Sequence, residues 1–246
     1  MVTKCKNESK NIEGMILSVI NFADQIIIVD DASEDDTVSI ATNLGAKIIR
    51  GEIHHGHIDR LDRQGFLACT SGWILRMDAD ERLTPELHSV LSEISENTDI
   101  AGVKFARLNM FFGKPLKYGG WFESNRMGFF RTESWDREWD CLLHSQVPVN
   151  GKVITIPKEK AYIIHLDYER IEQFIERTLY RYSRIEAVER KMHVKAWHLI
   201  WYPLKKFIGR LILRKGYKDG IHGLIVALLL ASYEMLILMQ IWDNNR

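Results

Sequence analysis

Two acidic runs carry the chemistry this chain is equipped for: Asp30-Asp31 and Asp78-Ala79-Asp80-Glu81. Each closes an apolar stretch, Gln25-Ile26-Ile27-Ile28-Val29 in the first case and Trp73-Ile74-Leu75-Arg76-Met77 in the second. Asp78 and Asp80 stand two residues apart, so in extended chain both carboxylates point to one side. Like charges gathered at strand ends repel unless a cation or a donor-rich ligand sits among them. A hard divalent cation, Mg²⁺ or Mn²⁺, suits such oxygen ligands and shares its coordination sphere with phosphates.

Positioning those carboxylates requires strands that end at one rim. Continuous apolar runs such as Gln25–Val29 read as strands buried on both faces, hence as parallel-sheet material. Val2–Cys5 reads as a short first strand. Ile12, Met15, Ile16, Val19 and Ile20 recur at helical spacing, with Asn7 or Ser9 as N-cap. Thr37–Leu44 reads as a helix ended by Gly45, Ala46–Ile49 as a strand, and Asp59–Thr70 as a helix. Thr84-Pro85 opens a further helix as N-cap and first position. This alternation predicts a doubly wound α/β sheet, in which ligands bind beyond the carboxyl ends of the strands. Past residue 100 the rhythm changes to strands at Ala101–Ala106, Gly128–Arg131 and Val153–Pro157. From Tyr168 the chain reads as helix, with breaks near Pro203 and Gly216–Gly220. The expected organisation is an α/β domain over 1–165 and a helical extension over 166–246.

Composition narrows the partners. The 246 residues hold 33 Lys+Arg and 33 Asp+Glu, so a general nucleic-acid binder is disfavoured. Cys5, Cys69 and Cys141 form no C-x-x-C pair, which argues against a disulfide scaffold or structural zinc and for a reducing compartment. No signal peptide is read before Asn7-Glu8-Ser9-Lys10. The zero balance hides an asymmetry: Lys158–Lys218 holds 15 Lys/Arg against 7 Asp/Glu, a surplus of eight. That stretch also carries Trp197, Trp201, Tyr202 and Tyr217, and the apolar run Ile221–Trp242 follows it. Basic residues, interfacial aromatics and an apolar helix together predict contact with an anionic membrane surface. Ile221–Trp242 is long enough to span a bilayer, but Glu234 inside it makes a span costly. The expectation is a helix on or dipping into the membrane, with a packed or dimerising helix and, after it, a true span as the alternatives.

The ordered motifs resemble family 2 glycosyltransferases of the GT-A fold. They are Asn7-Glu8-x-x-Asn11-Ile12; Ile27-Ile28-Val29-Asp30-Asp31-x-Ser33-x-Asp35-x-Thr37; and Met77-Asp78-Ala79-Asp80-Glu81-Arg82. Phe112 to Trp121, Arg126 to Arg131, His165-Leu166-Asp167-Tyr168 and Gly216 to Gly223 extend the likeness over nearly the whole chain. The pattern is similar to the bacterial subgroup that builds lipopolysaccharide core and other envelope glycans. The resemblance implies a nucleotide-diphosphate-sugar donor, a saccharide or glycolipid acceptor, inversion by direct displacement, and work at the cytoplasmic face of the membrane. It implies that Asn7, Glu8, Asp30 and Asp31 surround base and ribose, and that Asp80, helped by Asp78, holds a metal on the diphosphate. Arg60 and Arg63 fall where the family carries a basic or amide residue near the donor, and His165 falls near the metal or diphosphate. Trp121 either stacks on a sugar or fills core. His54, His55 and His57, with Asp59, read as a donor-side loop rather than a zinc site.

In two places the chain departs from that pattern. Its first strand is short and polar. The subgroup's His-Glu pair is here His144-Ser145, and a serine accepts no proton without its own base. The base then falls to His144 or Asp140, with Asp136 and Glu138 as further candidates. Two other readings follow: a catalytically impaired GT-A binding protein, and a sugar nucleotidyltransferase, for which the Gly-rich phosphate loop is missing.

Overall fold

The first strand, β1 (Val2–Cys5), is fully parallel to β2 (Ile27–Asp30), and β2 to β3 (Lys47–Arg50). The computed structural model describes residues 1–51, 60–123, 125–139 and 146–246. Helix α1 (Ile12–Val19) joins β1 to β2, and α2 (Thr37–Asn43) joins β2 to β3. The buried face of α1 is Ile12, Met15, Ile16 and Val19, as its apolar spacing requires. Its N-cap is Asn11, not Asn7 or Ser9, and no side chain bonds there. Asn7 and Ser9 are spent on the loops beside them. Gly45 ends the α2 segment in the left-handed region, with φ +82°.

After α3 (Arg60–Leu67) comes β4 (Trp73–Leu75). A parallel bridge between Val2 and Arg76 and a bond from the Met77 N–H to the Val2 carbonyl lay the end of this strand beside β1. Helix α3 approaches β1 closely: a Cβ on Gly65 would stand 2.4 Å from Val2 Cγ1. The chain then runs through β5 (Glu81–Leu83) and α4 (Pro85–Ser95), whose N-cap Thr84 accepts a bond from the Leu87 N–H at 3.2 Å. Four longer or later strands follow: β6 (Ile100–Phe111), β8 (Arg126–Arg131), β9 (Lys152–Thr155) and β10 (Tyr162–Tyr168), with the two-residue β7 (Lys114–Pro115) between β6 and β8. The order is β4-β8-β6-β10-β5; β4, β8 and β6 pair antiparallel, and β9 joins β6 in parallel. The result is a mixed architecture: a three-stranded parallel sheet, β1-β2-β3, meets a seven-stranded, mainly antiparallel sheet at the Val2–Arg76 bridge. Phe66, Phe105, Phe129 and Phe130 fill its core.

Contacts divide the chain into two compact units: Met1–Arg107 with Glu123–His165, and Leu108–Phe122 with Leu166–Arg246. In the second, α5 (Ile171–Phe174) leads into a π-helical stretch, Ile175–Tyr182, and α6 (Ser183–Glu189). Then come α7 (Ala196–Ile208), a second π-helical turn at Gly209–Leu213, a 3₁₀ turn at Gly216–Asp219 and α8 (Ile221–Asn244). Pro203 does not break α7: it lies buried inside it. Packing there offsets the roughly 3 kcal/mol that a helical proline costs. The break falls earlier, at Arg190, whose ψ of 92° is extended.

Candidate active site

Because β1, β2 and the β4 strand run parallel, their carboxyl ends share one rim. Cys5 stands beside Asp30 in register, and the Asp31 N–H donates to the Cys5 carbonyl at 2.9 Å. Two residues just past this rim have left-handed backbones: Asn7 (φ 55°) and Ala32 (φ 54°). Such conformations cost about 1 kcal/mol or more for a residue with a Cβ and persist where surroundings impose them. The lacing is visible. The Asn7 N–H donates to Ser33 Oγ at 2.9 Å, and the Glu34 N–H donates back to Asn7 Oδ1 at 2.8 Å. Ser33 N–H bonds Asp30 Oδ2 at 3.1 Å, and Glu8 N–H bonds Thr37 Oγ1 at 2.8 Å. Burial alone would raise the Asp35 carboxyl, but bonds from Thr37 and Ser9 hold it well below the usual carboxylate range. Asp30 is buried, while Asp31 reaches Lys6 Nζ at 3.3 Å.

The second acidic run is built differently. Antiparallel pairing of β10 with β5 sets His165 opposite Glu81. His165 Nε2 lies 3.4 Å from Asp80 Oδ2, and both side chains are under a tenth exposed. The neighbouring carboxylates face cations instead. Asp78 lies 3.2 Å from Arg126, 3.4 Å from Arg107 and 3.4 Å from Lys4. Glu81, fully buried, pairs with Arg126, lies 3.2 Å from Arg107, and accepts the Asp78 N–H at 2.8 Å. Below them Asp62 is held by Lys4 at 2.9 Å and Arg76 at 2.6 Å. Burial by itself would raise the Asp78 carboxyl; Lys4, Arg126, Arg76 and Arg107 hold it well below the ordinary range. The turn from Asp78 to Glu81 is thus fastened by charge on one side, with Asp80 and His165 meeting on the other. Burial lowers the Arg82 guanidinium, while Asp80 and Glu8 act on it together, so both acidic loops lie within its electrostatic reach.

The remaining expected residues are scattered. Arg60 is exposed at the start of α3. Arg63 donates through Nε to the Arg137 carbonyl at 2.8 Å. Trp121 belongs to the second unit, where its ring lies 4.9 Å from Phe111 and under the Arg210 guanidinium at 5.1 Å. Asp140, His144 and Ser145 lie outside the described residues, as do His54, His55, His57 and Asp59. Asp136 and Glu138 sit in the described loop before them, where the Glu138 N–H bonds Asp136 Oδ1 at 3.0 Å. Sequence reasoning missed the cations Lys4, Arg76, Arg107 and Arg126 and their buried partner Asp62. The one available signal was charge inside strand-like stretches, as at Lys4 and Arg76.

A parallel β-α sheet whose strand ends gather carboxylates, continued by antiparallel strands and a C-terminal helix, defines a GT-A-like α/β fold. Residues 1–144 match glycosyl transferase family 2, and the chain belongs to that family. An uncharacterised glycosyltransferase of Rickettsia conorii is 27% identical over 257 residues, covering 98% of this chain and 88% of the relative. Its counterpart in Rickettsia felis is 28% identical, covering 97% and 87%. Among solved structures, glucosyl-3-phosphoglycerate synthase from Mycobacterium tuberculosis aligns with a TM-score of 0.37 at 21% identity, over 43% of this chain and 42% of that one. An overlap of that extent carries no argument about ligands.

Proposed function

We propose that this chain is an inverting glycosyltransferase. It moves a sugar from a nucleotide-diphosphate-sugar to a hydroxyl of a lipid-linked or envelope saccharide, such as lipopolysaccharide core, at the cytoplasmic face of the cell membrane. One observation carries the reading: parallel strands end in two acidic loops on a common rim, one laced around Asn7, Glu8 and Asp30, the other presenting Asp80 beside His165. The first loop, with Asp31, receives base and ribose, and Arg60 and Arg63 on α3 stand for the donor's charge.

The donor set at Asp80 fits a hard divalent cation. Among the described residues no group of three or more His, Cys, Asp or Glu could hold a metal. Mg²⁺-like ions are commonly bound by one or two protein ligands, with phosphate oxygens and water completing the octahedron. Asp80 and His165 would hold the ion, with Asp78 committed to Arg126, Arg107 and Lys4 and keeping the turn in place. When bound, the ion neutralises charge growing on the leaving diphosphate. The chain's own work is to orient the donor and to accept the acceptor's proton, which falls to Asp140 or His144.

Transfer and UDP or GDP binding with Mn²⁺, assayed over a panel of nucleotide sugars, test this. Asp80→Ala should abolish Mn²⁺-dependent binding and lower turnover about a hundred- to a thousandfold, the scale of a lost electrostatic contact to the reacting group. Asp140→Asn or His144→Ala should stop transfer and spare binding. Full Mn²⁺-dependent binding in Asp80→Ala would sink the metal assignment. Ser145, standing where the subgroup's glutamate is expected, favours one other reading: nucleotide-sugar binding without turnover in the wild-type chain would make it a binding protein.

A further inference from the structure

The second unit carries a charge arrangement turned inside out relative to an ordinary surface helix pair. Glu234, in the middle of α8, is only 6% exposed. Arg190 lies 2.6 Å and Lys206 3.3 Å from its carboxylate, so its charge is met from the residues preceding α7 and from α7 itself. Val226, Ala227, Leu230, Ile237, Leu238 and Ile241 share its buried side. The opposite side is apolar and open. Ile221, Leu224, Leu228, Met235, Met239 and Trp242 are 36–67% exposed, and they recur every three or four residues, with Ser232 as the one polar member.

Its partner α7 repeats the pattern. Trp197, Ile200, Trp201 and Leu204 are 43–73% exposed at the same spacing, and Ile212 continues the line at 55%. Large exposed apolar surfaces mark interaction sites rather than ordinary protein surface. The occupant is indicated by charge. Ala196–Asp219 holds six Lys/Arg and one acidic residue, Asp219, whose carboxylate is taken by the Lys117 and Tyr118 N–H groups. Exposed Lys205 follows Leu204 at the edge of the stripe, and exposed Lys195 precedes α7. Apolar stripes with tryptophans and flanking lysines match the boundary between acyl chains and anionic headgroups.

We infer that the α7–α8 hairpin is an in-plane docking surface for an anionic phospholipid bilayer, with both stripes in the headgroup boundary and α8 lying along the membrane rather than crossing it. The stretch Ile221–Asn244 is long and apolar enough to span. A span would pull Glu234 from Arg190 and Lys206 into hydrocarbon, whereas in-plane docking leaves all three in place. The inference deepens the lipid-linked-acceptor reading but is independent of it in test, because docking needs no donor, acceptor or metal.

Flotation of the full chain with vesicles supplies that test. The chain should float with phosphatidylcholine vesicles containing phosphatidylglycerol, less so with phosphatidylcholine alone or in high salt, and alkaline carbonate should release it. Ile200→Asp with Leu204→Asp, or Met235→Asp with Met239→Asp, should each lower partitioning about a hundredfold, since each removes two inserted apolar side chains. Val188→Ser, at a residue 74% exposed on α6 and off both stripes, should float normally. Circular dichroism and urea unfolding of the variants verify that they fold. Three results would overturn the inference: a wild-type chain that stays with the soluble fraction, retention after carbonate as for a spanning helix, or a soluble dimer dissociated by the stripe substitutions.

Discussion

Each unit buries a carboxylate against two basic side chains, and the two solutions differ in where the cations reach. Around Asp78 and Glu81 the chief partners are themselves enclosed: the side chains of Lys4 and Arg126 are 9% and 11% exposed and Glu81 is at 0%, with Arg107, at 34%, the open member. Around Glu234 both partners are about a third exposed, Arg190 at 32% and Lys206 at 34%. A closed network cannot rehydrate a member that loses its partner, whereas an open one can. The closed network therefore fixes the geometry of a loop, and the open one lets an otherwise apolar helix carry a charge on its protein side.

Arg126→Met breaks the comparison on its costly side. It leaves Glu81 with Arg107 alone and Asp78 without its nearest cation. The cost should be about 3 kcal/mol, the scale for stripping one partner from a buried pair, read as a lower urea midpoint at an unchanged slope. Turnover should fall further than the lost stability explains, because Asp80 shares the freed turn. Wild-type stability in this variant would mean that the Arg126 pairs contribute nothing. Glu234→Gln tests the open side. Arg190 and Lys206 can turn to water, so the loss should be near 1 kcal/mol. A loss as large as that of Arg126→Met would erase the distinction.

Much of the first unit was legible in the sequence. Gln25–Val29 stood out because a strand buried on both faces is a continuous apolar run, while Ala46–Ile49 and Trp73–Met77 followed from their place in the alternation, and the strand at Lys47–Arg50 is exposed at both its ends. The acidic residues after two of them marked the rim, since parallel strands place their ends together. The cations that fasten the rim were not legible. Lys4 looks like a polar flaw in a weak first strand until α3 brings Asp62 over it. Arg107 and Arg126 meet Asp78 and Glu81 only through the β6–β8 pairing, across 26 to 48 residues of sequence. In the tail, Pro203 suggested a break because local propensity weighs against it, while burial against neighbouring helices decided otherwise. Glu234 read as an obstacle to a membrane helix. Its partners 28 and 44 residues earlier turn it into a mark of which side faces protein.

Acid provides the finest test of the open pair. Burial alone would raise the Glu234 carboxyl, but Arg190 and Lys206 hold it below its ordinary value of 4.5. A group depressed in the folded state contributes stability above its unfolded pKa and loses it as pH falls through the folded one. The difference in unfolding free energy between wild type and Glu234→Gln should therefore be full near neutrality, begin to shrink below about pH 5, and close as Glu234 protonates and comes to resemble the glutamine. Asp35, also held low but in the first unit, should impose its own acid loss on both proteins equally, so it cancels in the difference. Urea titrations of the two chains from pH 7 downward measure this directly. A gap that stays constant through pH 4 would mean that the glutamine acts through packing, and that the pairing with Arg190 and Lys206 is not what steadies α8.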